Sequence, residues 1–291
     1  MANLKEIRNR ITSVNSTMQI TSAMKMVSAA KLKRAQDAIT QMRPYAQKLQ
    51  EILGNLTSSL DTSDNVYAQE RDLKNVLIVG INSNRGLCGG FNNNVAKEVK
   101  RIAAQHKDSN VSILPVGKKM ADSLKGTDFV ITDETMPSNT EELWGDLSFE
   151  NVSEVAQTLM DKFENGVIDK IVIVYNAFKN AGVQIVTTEQ FLPIAPAEQA
   201  DGKESADYIF EPSKEEIVNN LIPSSLKTQL YKAMLDSHAA EHGARMTAMH
   251  KATDNATDLK KELQLFYNKA RQTAITNEIL EIVGGAEALN E

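Results

Sequence analysis

Hydrophobic residues at the start of this 291-residue chain recur in alternating steps of three and four. Leu4, Ile7, Ile11, Val14 and Met18 open the series. It resumes through Leu32, Ala35, Ile39, Met42, Ala46, Leu49, Leu53, Leu56 and Leu60. A sustained heptad stripe keeps one seam of a helix facing a partner helix. From Leu4 to Leu60 such a helix spans roughly 85 Å at about 1.5 Å per residue. No compact domain of this size buries that length, so part of it must project. Midway the register falls on Thr21, Lys25 and Ser28, while the apolar set moves to Ile20, Ala23, Met24, Val27 and Ala30. That shift predicts a seam that drifts as the helix changes neighbours. Pro44 predicts a bend, because its ring displaces the carbonyl one turn back.

A second stripe near the other end answers the first. Leu226, Leu230, Ala233, Ala240, Ala244, Ala248, Ala252, Ala256, Leu259, Leu263, Phe266 and Ala270 share one helical face, and Ile275, Ile279 and Ile282 extend it. Its alanines allow close approach of another helix. Pro223 predicts a break before it, with Ser224 or Ser225 as the cap, and Gly284–Gly285 predict its end. Two long amphipathic helices at opposite ends of one chain most simply pair antiparallel.

Between them the character changes. Asn75–Ile81 reads NVLIVGI, a short apolar run typical of a buried strand. Residues 111–116, 129–131, 170–175 and 183–191 give further strands, separated mostly by helical stretches near 92–106, 117–124 and 151–165. Strands alternating with helices imply a mainly parallel, Rossmann-like α/β domain inserted between the helices. The polar segments 61–71 and 196–205 read as its linkers. The expected divisions are residues 1–60, the N-terminal coiled-coil helix; 61–212, the α/β domain with its linkers and a foot; and 213–291, the C-terminal coiled-coil helix.

Charge is unevenly distributed. Residues 1–50 hold nine basic side chains against Glu6 and Asp37, a balance of +7 in a chain of net charge −6, so the remainder carries −13. A basic helix on an acidic protein points to an acidic partner surface. No run approaches the ~18 apolar residues of a membrane span. Met1–Lys5 has no apolar stretch behind it, so no secretory leader is expected. Cys88 is the one cysteine, which rules out an internal disulfide and favours a reducing compartment.

Three patterns invite chemistry. The turn Asn82–Asn92 is glycine-rich and follows a strand, where phosphate can be cradled. It matches neither G-x-G-x-x-G nor G-x-x-x-x-G-K-[ST], so a tight structural turn is the preferred reading. His238, Glu241 and His242 fit the H-x-x-E-H pattern of zinc peptidases. That motif would lie beside the helix seam with no enclosing cleft, and no metal site is assigned. Cys88 has no histidine marked as its base and reads as a small buried hydrophobe. Aromatic and basic residues are not interleaved as in nucleic-acid modules. No catalytic residue and no cofactor follows. From the residues alone, a basic coiled coil that binds nucleic acid or a membrane surface stays open as the alternative.

The two ends resemble the gamma subunit of the F-type ATP synthase, the central rotor shaft. Ile7–Gln36 (IRNRITSVNSTMQITSAMKMVSAAKLKRAQ) is similar to that family's opening helix. Residues 241–289 carry ARMTAMHKATDNA and LQLFYNKARQTAITNEILEIVGGAEAL, and Gly86–Asn92 reads GLCGGFN. The resemblance covers the whole chain. It implies a non-catalytic shaft, one copy per complex, passing through three alpha and three beta subunits. The epsilon subunit and the membrane c ring are its further partners.

By resemblance, Arg271, Gln272 and Thr276 are the polar residues that catch loops of beta. Met24 and Lys25 meet an acidic loop of beta. Tyr208 and Glu211, in DYIFEP, face the c ring. Ile275, Ile279, Ile282 and Val283 form an apolar tip that turns in a collar. No nucleic acid is implied, membrane contact comes only through the complex, and the location is peripheral, on the cytoplasmic face of the inner or plasma membrane. Two positions depart from the family's pattern: Asn84, where Asp is usual, and Gly243, where Ala is usual at a helix cost of ~1 kcal/mol for glycine.

Overall fold

The computed structural model describes residues 4–57, 66–69, 71–127, 130–131, 136–137, 140–194 and 214–288. The chain divides into two compact units, Met1–Ser28 with Met246–Glu291, and Ala29–Arg245. The elements in order are α1 (Leu4–Thr57), β1 (Asn75–Ile81), α2 (Phe91–Gln105), β2 (Asn110–Val116), α3 (Lys118–Leu124), β3 (Val130–Ile131), α4 (Phe149–Glu164), β4 (Lys170–Asn180), β5 (Val183–Leu192) and α5 (Lys214–Ala288). A long helix thus stands at each end of a strand–helix alternation, as the sequence patterns predict.

The five strands of the unit Ala29–Arg245 form one sheet in the order β3-β2-β1-β4-β5. The first four are parallel, and β5 returns antiparallel to β4. The strand order 3-2-1-4 matches the first four positions of the doubly wound order 3-2-1-4-5-6. Side chains of a strand alternate between its faces. Leu77, Val79 and Ile81 therefore pack on one side with Leu159, Met160 and Phe163 of α4 and with Leu226, Leu230 and Met234 of α5. Val76 and Ile78 pack on the other with Val95 and Val99 of α2 and Met120 and Leu124 of α3. Burial on both faces explains why β1 is apolar without interruption. Gly80 breaks the run where a Cβ would lie 2.9 Å from Met120 Cε and 3.2 Å from Val99 Cγ2.

Both long helices depart from expectation in detail. α5 begins at Lys214 and runs through Pro223. Ser224 does not cap a new helix; its hydroxyl donates to the Asn220 carbonyl at 2.9 Å. Ile222 and Leu226, both buried on the sheet, hold the helix across the proline. Gly284 and Gly285 do not end α5, which continues to Ala288, and nothing in the structure explains why. α1 is helical on both sides of Pro44, where a bend and not a break is expected.

The seam of α1 does not drift. Thr21 and Ser28 are buried, like Ile7, Leu32, Ala35 and Ile39 in the same register, whereas Ile20 and Val27 are about three-fifths exposed. The polar side chain is tolerated because it is satisfied. Thr21 Oγ1 lies 3.1 Å from the Met18 carbonyl and 2.8 Å from Thr253 Oγ1. Among the described residues, no helix is long and apolar enough to cross a membrane.

Candidate partner-binding surfaces

In the unit Met1–Ser28 with Met246–Glu291, α1 and α5 meet through a series of side-chain bonds. Arg8 donates to the Tyr267 hydroxyl at 2.8 Å and lies over its ring. Lys260 donates to Asn15 Oδ1 at 2.8 Å, and the Thr257 hydroxyl to Met18 sulfur at 3.4 Å. Thr21 meets Thr253, and Lys25 Nζ lies 3.4 Å from His250 Nδ1. As residue numbers rise along α1 they fall by nearly equal steps along α5, so the chain directions oppose.

Met24 and Lys25 sit half-buried beside this seam. His250 Nδ1 is also 3.4 Å from Asp254 Oδ2, so Lys25 belongs to a small charged group at the surface. The structure places Arg271, Gln272, Ile275, Thr276, Ile279, Ile282 and Val283 on one helical segment, every one of them exposed. Among the described residues, the side chains of Arg271, Gln272 and Thr276 make no hydrogen bond or ion pair. Tyr208 and Glu211 lie outside the described residues.

In the unit Ala29–Arg245, the glycine-rich turn between β1 and α2 is docked rather than open. Leu87 and Gly89 adopt positive φ, 63° and 61°, and turn the backbone sharply. Asn92 ties the turn from inside, with Oδ1 accepting from the Ser83 amide at 3.2 Å and the Ser83 hydroxyl at 2.8 Å. Asn84 uses both ends of its amide, donating to the Glu141 carbonyl at 2.8 Å and accepting from the Lys118 amide at 3.0 Å. Aspartate, with no donor when ionised, would lose the first of these. Cys88 is buried, which pushes its thiol pKa up and keeps it protonated.

The anchor of this turn is Arg245, a residue the sequence analysis did not single out. Its guanidinium donates to the Gly86 carbonyl at 3.3 Å, to the Arg85 carbonyl at 3.1 Å and to Glu241 Oε1 at 2.6 Å. Both members of the pair are buried. Burial raises the Glu241 pKa, and the Arg245 charge opposes that rise. A Glu–Arg spacing of four in an otherwise apolar stripe was the available signal. Gly243, two residues before Arg245, admits the β4–β5 hairpin: a Cβ there would lie 3.2 Å from Ala181 Cα and 3.4 Å from Phe178 Cε2.

The H-x-x-E-H motif is absorbed into the same cluster. His242 Nε2 and His238 Nε2 are 3.0 Å apart, and Trp144 stacks on His238. Arg245 Nη1 lies 3.4 Å from His242 Nδ1 and can only donate, so that nitrogen accepts. His242 Nε2 then carries the hydrogen and donates to His238. Burial, with positive neighbours, lowers the His238 pKa to about 4. Burial, then His238 and positive neighbours, lowers that of His242 to about 3. Glu241, engaged by Arg245, is not free to act as a base. Among the described residues, no three His, Cys, Asp or Glu side chains group to hold a metal ion.

In chain order, a long helix stands at each terminus with a mixed, mainly parallel sheet between them, and solved structures share this fold. A chain in the Tetrahymena thermophila mitochondrial ATP synthase central stalk/c-ring structure shares the fold, at TM-score 0.56 and 24% identity over 80% of this chain and 99% of that one. A chain of the Euglena gracilis mitochondrial ATP synthase does so at TM-score 0.63 and 20% identity, over 98% and 94%. The family model described as ATP synthase matches residues 3–289. The ATP synthase gamma chain of Flavobacterium psychrophilum is 62% identical over 290 residues, 99% of each chain. The chain belongs to the gamma-subunit family of the F-type ATP synthase, and its role is that of the complex's non-catalytic rotor shaft. The alternative of a basic coiled coil for nucleic acid or membrane surfaces finds no support in these relationships.

Proposed function

We propose that the terminal helices pair as an antiparallel coiled coil, one copy of which turns inside a ring of three alpha and three beta subunits. The observation that carries this reading is bare apolar surface on α5. Ile275, Ile279, Leu280, Ile282 and Val283 are 48% to 66% exposed. Apolar surface gathered on one segment marks an interaction site. It fits a tip that turns in a hydrophobic collar, where few hydrogen bonds break on rotation. The opposed series of side-chain bonds from Arg8–Tyr267 to Lys25–His250 supports the pairing.

Arg271, Gln272 and Thr276, whose side chains make no hydrogen bond or ion pair among the described residues, catch loops of beta. Met24 and Lys25 face an acidic loop of beta, and exposed Ile20 and Val27 add apolar contact beside them. The α/β domain and foot join the shaft to the c ring and to epsilon, with Tyr208 and Glu211 as ring contacts on the strength of resemblance. The working divisions are residues 1–60, 61–212 and 213–291. The complex places the chain on the cytoplasmic face of the membrane without inserting it.

No bond chemistry takes place on this chain. An asymmetric shaft in a threefold ring presents a different face to each beta subunit. Different contacts favour different conformations, so three identical sites are held in three states. Ion flow through the c ring turns the shaft and moves each site through the cycle. The test is ATP hydrolysis by the reconstituted complex carrying Gln272→Ala and ATP synthesis by one carrying Ile279→Glu. Loss in each is expected; wild-type hydrolysis and synthesis would refute the catch and the collar respectively.

A further inference from the structure

We propose that proton uptake by the His238–His242 pair releases the glycine-rich turn between β1 and α2 from α5. Three side chains of α5 stand in line, with two nitrogen–nitrogen gaps between them. Arg245 Nη1 lies 3.4 Å from His242 Nδ1, and His242 Nε2 lies 3.0 Å from His238 Nε2. Each gap holds one hydrogen: Arg245 supplies the first and His242 the second. A further proton fits neither. On His242 Nδ1 it meets the guanidinium. On His238 Nε2 it meets the His242 hydrogen, and shifting that hydrogen to Nδ1 only moves the conflict to Arg245.

The surroundings decide which member yields. His242 is 5% exposed, and Trp144 stacks on His238 and holds it in line. Lys31 of α1 and Arg85 of the turn add positive charge, and Cys88 of the turn is a neutral thiol. Glu241, the nearby carboxylate, is already engaged by Arg245. An imidazolium here therefore drives Arg245 from its place. The same guanidinium holds the Arg85 and Gly86 carbonyls, at 3.1 Å and 3.3 Å. Once it leaves, what remains among the described residues is the packing of Cys88 and Phe91 against Ala240 and Ala244. The docked pair is held at about 4 for His238 and about 3 for His242, by burial first and then by positive neighbours and each other. Freed histidines return to about 6.5, so the released form binds more protons and gains as pH falls below that value.

The full-length chain carries its own reporter, since Cys88 is its one cysteine and is buried in the docked turn. Its rate with a pyridyl disulfide, which reacts with thiols in acid, is divided by that of free cysteine at the same pH. A freed histidine at pH 5 is about thirtyfold more cation than neutral, so this relative rate should rise on the order of thirtyfold between pH 7 and pH 5. Far-UV circular dichroism should hold steady over that range. Glutamine keeps a donor and an acceptor without titrating, so the rise should vanish in the chain carrying His238→Gln and His242→Gln. Should that chain fail to fold, His242→Gln alone serves, with a rise no more than about half the native one expected. Cys88 protected until the helical signal itself is lost, or an equal rise in the variant, overturns the proposal. So does a change in Trp144 emission at pH 5 with Cys88 still protected, since His238 would then be the member that yields.

Discussion

Arg245→Met should destabilise the chain by about 3–5 kcal/mol, the cost of breaking a buried ion pair by removing one partner. The guanidinium now bonds Glu241 at 2.6 Å and the carbonyls of Arg85 and Gly86 at 3.1 Å and 3.3 Å. Methionine fills similar volume but leaves a buried carboxylate and the Gly86 carbonyl without donors, while the Arg85 carbonyl keeps the Ser83 hydroxyl at 2.6 Å. A domain of this size loses roughly 2–4 °C of Tm per kcal/mol, so a fall of about 10 °C is expected in thermal unfolding followed by circular dichroism. Adding Glu241→Leu removes the stranded charge, and the double variant should recover part of the loss. Without Arg245, the main opposition to the rise that burial gives the Glu241 pKa is gone, leaving only the weaker effect of Lys31 and Arg85. A raised carboxyl pKa favours the folded state as pH falls, so the deficit of Arg245→Met should shrink between pH 8 and pH 5. Hydrogen exchange at the amides of Ser83–Asn92 should quicken in parallel. A deficit below about 1 kcal/mol, or a double variant worse than the single, would refute the reasoning.

Other outcomes follow from the same cluster and its neighbours. Free histidine titrates near 6.5, while His238 and His242 are lowered to about 4 and about 3, so the folded chain binds fewer protons than the unfolded one in that window. Stability should therefore fall as pH drops from about 6.5 toward 4, and His242→Gln should reduce that loss on the order of 2 kcal/mol in urea unfolding. Asn84→Asp should cost about 1–2 kcal/mol by the same measurement, since the Glu141 carbonyl loses its donor and faces a carboxylate. Phe163→Ala, at a fully buried position under the sheet, should cost about 3–5 kcal/mol in thermal unfolding.

Elements whose signal is local were legible in the sequence. β1 appears at Asn75–Ile81, where its apolar run lies, and β2, α2, α3 and α4 fall within a residue or two of expectation. β4 runs on to Asn180, beyond the expected 175, because hairpin pairing with β5 sustains strand where hydrophobicity has faded. Features that depend on a distant partner were not legible. Thr21 looked like a gap in the stripe because Thr253, its partner, is 232 positions away. Pro223 looked like a break because the packing of Ile222 and Leu226 on the sheet is invisible from local rules. Arg245 had one local signal, its spacing of four from Glu241, but its bonds to the Arg85 and Gly86 carbonyls carry no residue signature. The motif at His238–His242 shows the converse: a pattern of catalytic type whose members serve the packing of a turn.

Rotation itself tests the account most directly. Lys107 is exposed on the unit Ala29–Arg245, just beyond α2, while Cys88 is buried, so Lys107→Cys offers a selective attachment point for a gold rod. In a reconstituted complex fixed to a surface through beta, addition of ATP should turn the rod in one direction in steps of a third of a turn. A stationary rod on a complex that continues to hydrolyse ATP would contradict the assignment of this chain as the turning shaft.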